Sequence, residues 1–251
     1  MCRRNTQDPL IRAFLDTYGL NLLAIPRADA AVGDLYVVTN DSISAPGALS
    51  AVLTPGFTLP PKQTGEKLAN IEGKMSSKVD AKVGIALLEK FFSAMGMARI
   101  AQKIRLSYES EKANNLRFRL KDATRDYMDP LLFGKQLINH KLNKQHPSIE
   151  SNNRYYVTTA VVRTPSISVI AENDAAETIG LKLDVLNAVE TEANIDIKRE
   201  NSGEITYKGK ISLAIGVELH ELRYHAEREK FTLDIAKDSV RIRAATNDGH
   251  I

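Results

Sequence analysis

The sequence predicts an α+β protein built on a central twisted antiparallel sheet with helices around it. Near the C-terminus, apolar residues occupy every second position from Ile205 to Leu219. A second alternating run covers Ile179 to Ile197, and the polar segment 198–204, which contains a glycine, joins the two runs. Period 2 is typical of strands, and such a link is typical of a hairpin. Apolar residues at helical spacing, in 10–18 and 130–145, supply the predicted helices.

The N-terminal part of the chain begins with a helix signal. Asp8 is a suitable N-cap, Pro9 suits the first turn, and Gly19 is a natural C-terminal stop. The apolar runs 20–26 and 35–39 are short strand candidates. Residues 40–66 are dense in proline and glycine, which predicts a loop.

The middle of the chain alternates again from Lys78. Apolar positions recur through residues 78–108 around the apolar block 91–98, and Leu116, Phe118 and Leu120 alternate with basic residues. Residues 130–145 are predicted to be helical, with Leu131, Ile138 and Leu142 on one face. Residues 154–162 are a candidate buried strand.

The two arms of the C-terminal hairpin are long enough to cross a membrane. Strands of globular proteins usually have about 5–6 residues, whereas a tilted strand that crosses a bilayer needs about 9–11, and both arms are longer than that. A strand with lipid on one face and water on the other alternates in this way. A soluble antiparallel sheet with one wet face alternates too, so the pattern alone leaves both readings open.

Composition excludes several classes of function. The chain has 251 residues, of which 43% are hydrophobic and 26% charged, so one sizeable core is possible. Its one cysteine excludes an intrachain disulfide framework and a zinc site with several thiolates. A net charge of +3 gives no argument for nucleic-acid binding. No segment predicts a transmembrane helix or a signal peptide, so a cytoplasmic protein is expected.

The sequence contains no complete motif for catalysis or metal binding. His220 and His225 are five residues apart, whereas a helical zinc-protease motif needs four, and we expect two surface histidines at a strand end. The segment from Gly203 to Lys210 has the wrong glycine spacing for a phosphate loop. Cys2 lies too near the terminus to be held against a catalytic base. No catalytic residue, metal ligand or cofactor site is therefore predicted, although Cys2 could be acylated beside Arg3 and Arg4.

Two segments carry a family resemblance. The strings Tyr18–Arg27 and Gly33–Tyr36 resemble the N-terminal signature of bacterial gasdermins, and the stretch from Val157 to Ser168 leading into 179–219 resembles the second membrane-inserting region of gasdermin pore-forming domains. The resemblance implies the fold of that domain and an autoinhibited, non-enzymatic protein. After proteolysis it would oligomerise into a large ring-shaped pore in the bacterial inner membrane and kill the cell in antiphage defence. The alternative is a soluble lipid- or protein-binding sheet module that does not insert.

The resemblance also implies which residues meet lipid. The first inserting hairpin maps to 78–108 and the second to 179–219. The proposed inserting positions of the first are Val79, Ala81, Val83, Ile85, Leu87, Ile100, Ile104 and Leu106. Those of the second are Ile179, Leu181, Leu183, Val185, Ile211, Leu213, Ile215 and Val217.

The two ends of the chain receive regulatory roles by the same resemblance. Residues 1–228 would be the pore-forming domain and residues 229–251 a C-terminal autoinhibitory peptide, held by Phe231, Leu233 and Ile235. Candidate cleavage positions are Lys230, Leu233 and Lys237. Cys2 would carry a palmitoyl group, the only covalent lipid expected. The implied partners are an activating protease, membrane lipids and further copies of the chain, with no nucleic acid.

Overall fold

A computed structural model describes the chain in segments: residues 19–39, 43–68, 78–80, 102, 115–138, 140–141, 143, 146, 149, 153–172, 178–179, 196–201, 204–225 and 230–235. Within these segments twelve strands form one sheet, in which all pairs are antiparallel. The strands are β1 (Asn21–Arg27), β2 (Asp34–Val38), β3 (Ile43–Ala48), β4 (Lys62–Lys67), β5 (Lys78–Asp80), β6 (Asn115–Lys121), β7 (Thr124–Met128), β8 (Arg154–Glu172), β9 (Thr178–Ile179), β10 (Asp196–Asn201), β11 (Glu204–His225) and β12 (Lys230–Ile235).

Two long strands hold the sheet together. β8 has 19 residues and β11 has 22, and they pair with each other from Glu204↔Ile170 to Leu222↔Tyr155. On its other edge β8 pairs in turn with β2, β7 and β6, while β11 pairs with β12, β1 and β10. The predicted α+β class with a central antiparallel sheet is confirmed, although helices are sparse among the described residues.

The helix that is described differs from its prediction. α1 (Pro130–Leu137) begins where Asp129 accepts hydrogen bonds from the backbone N–H groups of Leu131 and Leu132, at 2.8 and 3.3 Å. It ends at Leu137, well before residue 145. The predicted inner face is also wrong, because Leu131 and Ile138 are exposed while Phe133 and Leu137 are buried. Phe133 packs edge-on against the ring of Phe57, and this tertiary contact selects the buried face.

Several strand predictions are confirmed and two boundaries are corrected. The strand candidates in 20–26, 35–39, 116–120 and 154–162 correspond to β1, β2, β6 and β8. Residues 40–66 are not all loop, because they hold β3, a 3-10 helix (Leu49–Val52) and the start of β4. Proline and glycine are tolerated there since, among the described residues, β3 pairs only with β2 and β4 only with β7, as edge strands do. The predicted turn 198–204 is mostly strand, because β10 continues to Asn201, which pairs with Glu204.

One core lies between α1, the 3-10 helix and the half of the sheet nearest β2. Its largest fully buried side chains include Tyr36, Phe133, Tyr156, Leu35 and Leu49. The segment between β1 and β2 is tied to this half of the sheet. The guanidinium of Arg163 donates to the main-chain oxygens of Ala28 and Ala30 and pairs with Asp126 at 3.2 Å.

A glycine is required in this connecting segment. Gly33 has φ +94°, and its N–H donates to the Thr158 main-chain oxygen at 2.8 Å. A Cβ atom at this position would lie 2.3 Å from Cδ1 of Leu59. The segment Gly33–Tyr36, which carried part of the family resemblance, therefore has a local physical role in joining β1 to β2.

Candidate membrane-inserting region

A joint crosses the sheet at Thr164 and Pro165 and divides it into two halves. Up to Lys208, β11 pairs with β8 in the register Lys208↔Ser166, and from Leu213 onward the register is Leu213↔Thr164. Four residues of β11, 209–212, therefore stand opposite the single residue Pro165. Proline has no N–H to donate to a ladder, so continuous pairing is interrupted here.

The neighbouring strands break at the same level. β6 ends with Lys121↔Ser166 and β7 begins with Thr124↔Arg163, so β8 changes partner across Thr164 and Pro165. Asp122, at the corner between β6 and β7, has φ +54°. Its carboxylate pairs with the Lys208 ammonium at 2.9 Å, which ties the corner to β11.

The buried hydroxyl of Thr164 stabilises this joint. Thr164 Oγ1 lies 2.6 Å from the main-chain oxygen of Lys121 and 2.7 Å from that of Ser166, and it accepts a hydrogen bond from the Ser166 N–H at 3.1 Å. Backbone groups left over by the broken ladder are thus satisfied by a side chain. We call the sheet from the joint toward β2 the proximal half, and the remainder, with β5, β6, β9 and β10, the distal half.

The distal half alternates between apolar and polar rows. Register partners across β6, β8, β11 and β10 share one face of the sheet. One apolar row is Leu120, Ile167, Tyr207 and Ile197, and the next polar row is Arg119, Ser168, Thr206 and Lys198. The alternation predicted for one hairpin therefore extends coherently over four strands.

The proposed inserting positions of β11 fall on both sides of the joint. Leu213, Ile215 and Val217 lie in the proximal half and are buried, with 2%, 4% and 0% of their surface exposed. Ile211 lies in the joint itself and is 58% exposed. The sequence pattern is continuous through these positions, yet the broken register separates Ile211 from the next apolar residues of the same run.

The other predicted inserting positions are only partly within the described residues. Val79 lies on β5 opposite Leu116, and Ile179 lies on β9 opposite Ala171 of β8 rather than opposite the second arm of its predicted hairpin. The remaining positions lie outside the described residues: Ala81, Val83, Ile85, Leu87, Ile100, Ile104, Leu106, Leu181, Leu183 and Val185. Cys2, Lys237 and the predicted helix at 8–19 also lie outside them, apart from Gly19.

The last described strand covers one edge of β11. β12 pairs antiparallel with β11 from His225↔Lys230 to His220↔Ile235. The three predicted anchors therefore stand at definite register positions, with Phe231 opposite Tyr224, Leu233 opposite Leu222 and Ile235 opposite His220. The candidate cleavage position Lys230 lies at the end of this ladder, whereas Leu233 lies within it.

A buried polar group lies on β11 beside this edge. His220 is buried, so the expectation of two surface histidines is wrong for His220 and holds for His225, which is exposed. His220 Nδ1 lies 2.9 Å from Oγ1 of Thr159, and that hydroxyl lies 3.4 Å from Glu218 Oε1. Glu218 also pairs with Arg125 at 2.9 Å. Burial lowers the pKa of His220, against a smaller opposing effect of the Glu218 carboxylate.

An ion pair between β11 and β8 lies next to this group. Glu221 is buried and accepts two hydrogen bonds from the guanidinium of Arg154, each at 3.1 Å. These hydrogen bonds lower the pKa of the Glu221 carboxyl, although burial opposes the shift. Sequence reasoning missed both Glu221 and Arg154, since a charged residue inside an alternating strand usually indicates a solvated face.

Among the described segments, no three or more histidine, cysteine, aspartate or glutamate residues are grouped so that they could hold a metal ion. No helix in the described part of the chain is long and apolar enough to cross a membrane.

The fold and the joint define a class of α+β protein in which two long central strands carry a packed half and an amphipathic half. A family model described as the Bacterial Gasdermin Family matches residues 23–238. The chain belongs to the bacterial gasdermin family, which is a family of pore-forming proteins and not a family of enzymes.

Individual relatives and a solved structure agree with this assignment. The chain is 23% identical over 221 residues to gasdermin bGSDM of Vitiosangium sp., covering 86% of this chain and 81% of the relative. It is 22% identical over 250 residues to gasdermin bGSDM of Lysobacter enzymogenes, covering 97% and 90%. The structure of a bacterial gasdermin from Bradyrhizobium tropiciagri superposes with a TM-score of 0.66 at 18% identity, covering 93% of each chain, and so shares the fold.

Proposed function

We propose that this chain is an autoinhibited pore-forming protein that proteolysis activates. Removal of residues 229–251 would release oligomerisation and the insertion of two β-hairpins into the bacterial inner membrane, causing cell death in antiphage defence. The observation that carries this proposal is the set of alternating apolar and polar rows across the distal half of the sheet. Such a surface suits contact with lipid on one face and water on the other.

The joint supports different roles for the two halves of the sheet, a folded support and an inserting part. Leu213 and Val217 are packed in the protein interior, and the proximal half holds the core with α1. We therefore place the inserting part of β11 at Ile211 and the residues before it. In this proposal the proximal half stays folded in the pore, and each copy in the ring contributes its distal strands.

The pairing of β12 supports autoinhibition. While β12 is in place, its ladder occupies the edge of β11 from His220 to His225. An exposed strand edge is a ready template for pairing with another chain, so loss of β12 would open an edge to the next copy. Cleavage is expected at Lys230 rather than Leu233, because a protease needs extended, unpaired backbone and Lys230 lies at the end of the ladder.

The proposal is tested on full-length protein whose residues 226–229, between β11 and β12, are replaced by the recognition site of a specific protease. Vesicles of phosphatidylethanolamine and phosphatidylglycerol are loaded with a self-quenched dye. Cleaved protein should release the dye and uncleaved protein should not, and the natural chain treated with the same protease is the control. Equal release with and without cleavage would contradict autoinhibition, and binding without release would favour a non-inserting lipid-binding module.

Acylation of Cys2 is a separate part of the proposal. A palmitoyl chain contributes about 0.8 kcal/mol for each buried methylene, so it could stabilise the resting protein and later hold the cleaved protein on the membrane. Intact mass of protein purified from a bacterial cytoplasm should show one palmitoyl group, which the Cys2→Ser variant lacks. An unmodified natural chain would contradict this part while leaving pore formation open to its own test.

A further inference from the structure

The polar face of the distal half is predominantly basic near the joint. Three neighbouring rows on this face hold six basic residues and two acidic ones. The row nearest the joint is Lys121, Ser166, Lys208 and Asp196. The middle row is Arg119, Ser168, Thr206 and Lys198, and the third is Lys78, Arg117, Ile170 and Glu204.

The middle row holds two basic residues and no acidic one. Arg119 and Lys198 lie at its two ends, with Ser168 and Thr206 between them. Asp196 lies in the row nearest the joint and Glu204 in the third row, and a fourth row, farther from the joint, holds the acidic residues Asp80 and Glu172 around Asn115. The basic rows therefore form a band next to the joint.

Part of this polar face is buried in the resting protein. Ser168 is fully buried and Ser166 is 1% exposed, although both lie in rows that hold lysine or arginine. Ser166 is hydrogen-bonded to Thr164, so its burial is compensated within the joint. The long basic side chains of the face differ from these serines, since Lys208 is exposed at the edge of the joint.

We propose that these rows form a basic ring in the water-filled lumen of the pore and that the pore favours anionic solutes. The inference rests on the proposed function, because it requires insertion of the distal half. Apolar rows would face lipid and polar rows the lumen. Repetition of the rows in every copy then lines the mouth next to the joint with lysine and arginine, the side chains that line anion-conducting pores.

The preference of the pore for anionic solutes should decrease as the salt concentration rises. The field of such a ring reaches about 10 Å into the lumen at 0.1 M salt and about 3 Å at 1 M. Anionic solutes should therefore pass faster than cationic solutes of equal size at low ionic strength. The preference should vanish at high ionic strength, because screening removes it while the width of the lumen stays the same.

The test uses the full-length protein with the protease site at 226–229, cleaved on vesicles of phosphatidylethanolamine and phosphatidylglycerol. Each vesicle holds three dextrans of equal mass: one uncharged, one carrying carboxylates and one carrying tertiary amines. We expect the anionic dextran to leave at least about twofold faster than the cationic one at about 0.02 M salt, and at the same rate at about 1 M.

A triple variant locates the effect. Lys78→Gln, Lys198→Gln and Lys208→Gln together should bring the anion-to-cation ratio toward one while release of the uncharged dextran continues. The matched control neutralises three exposed lysines outside the basic rows, Lys67, Lys135 and Lys141, and should keep the ratio of the unaltered chain.

The possible outcomes distinguish failure of the basic ring from failure of pore formation, on which the basic ring rests. If no dextran leaves after cleavage, the proposed pore fails. If the uncharged dextran leaves but the charged ones show equal rates at low salt, the pore stands and the basic ring is refuted. The inference also fails if the triple variant keeps the ratio and instead loses binding to anionic vesicles, because the lysines would then face lipid headgroups. Should the triple variant not fold, Lys208→Gln alone and the salt dependence of the unaltered chain decide the question.

Discussion

Ile211 and Leu213 lie two residues apart on β11 in one alternating run, yet lysine should destabilise the resting protein strongly at Leu213 and hardly at all at Ile211. Leu213 is 2% exposed and Ile211 is 58% exposed. Removal of a buried leucine side chain costs about 2–5 kcal/mol, and a buried ammonium adds to that cost. At the exposed position the change should stay within about 0.5 kcal/mol.

These values can be compared with the stability of a whole domain, which is about 5–15 kcal/mol. Leu213→Lys should therefore lower the melting temperature by roughly 4–20 °C, or prevent folding of the least stable preparations, since each kcal/mol corresponds to about 2–4 °C in a domain of this size. Ile211→Lys should shift it by no more than about 2 °C.

Circular dichroism of the uncleaved protein, followed on heating and in urea, measures both variants. Leu213→Met, which nearly conserves volume, is the control and should cost less than about 1.5 kcal/mol. Equal destabilisation by lysine at 211 and 213 would refute the register break at the joint as the cause of the different burial. A charge at Leu213 is therefore unsuitable as a test of lipid contact, because it reports first on folding.

Three further outcomes follow from the proximal half. Burial lowers the pKa of His220 below its value in the unfolded chain, so the neutral buried imidazole stabilises the fold fully above about pH 6.5, and this contribution is lost as pH falls. The variant His220→Gln should therefore make the free energy of unfolding in urea less dependent on acid pH. An unchanged pH dependence would exclude His220 as its source. Arg154→Met should cost about 1–3 kcal/mol at pH 7 by leaving Glu221 without its main partner. Because the lowered pKa of Glu221 makes the pair stabilising above about pH 4.5, the cost should shrink toward pH 3, and a cost independent of pH would contradict the ion pair. Gly33→Ala should destabilise by about 1–3 kcal/mol, given φ +94° and the contact with Leu59, and an unchanged melting temperature would show that the segment relaxes freely.

Much of the strand content could be predicted from local sequence. Alternation identified β6 and β11, and short apolar runs identified β1, β2 and the start of β8, because side chains on a strand point to opposite faces in turn. β3 and β4 were missed, since proline and glycine usually interrupt strands and only an edge position tolerates them. The extent of α1 was overestimated for a similar reason, because apolar spacing continues beyond the point where the chain leaves the helix.

The strand pairing of the candidate membrane-inserting region could not be predicted from local sequence. The resemblance predicts inserting hairpins at 78–108 and 179–219, and the structure shows that Ile179 pairs with β8 and that β10 begins at Asp196. Nothing local in the sequence predicted the partner of Glu221 or the burial of His220. Those properties depend on Arg154 and Thr159, which are more than 50 residues away along the chain.

The sequence by itself determined that the chain forms long amphipathic strands, that its lone cysteine excludes an intrachain disulfide framework, and to which family it is related. Only the tertiary structure decided where one continuous pattern changes environment. An alternating sequence pattern shows that the two faces of a strand differ. It does not show which elements cover each face. The joint at Thr164 and Pro165 breaks the register, so residues of one run become core on one side and part of an amphipathic block on the other. The pairing of strands that are far apart in the sequence determines which residues become core, and no local sequence pattern contains that information.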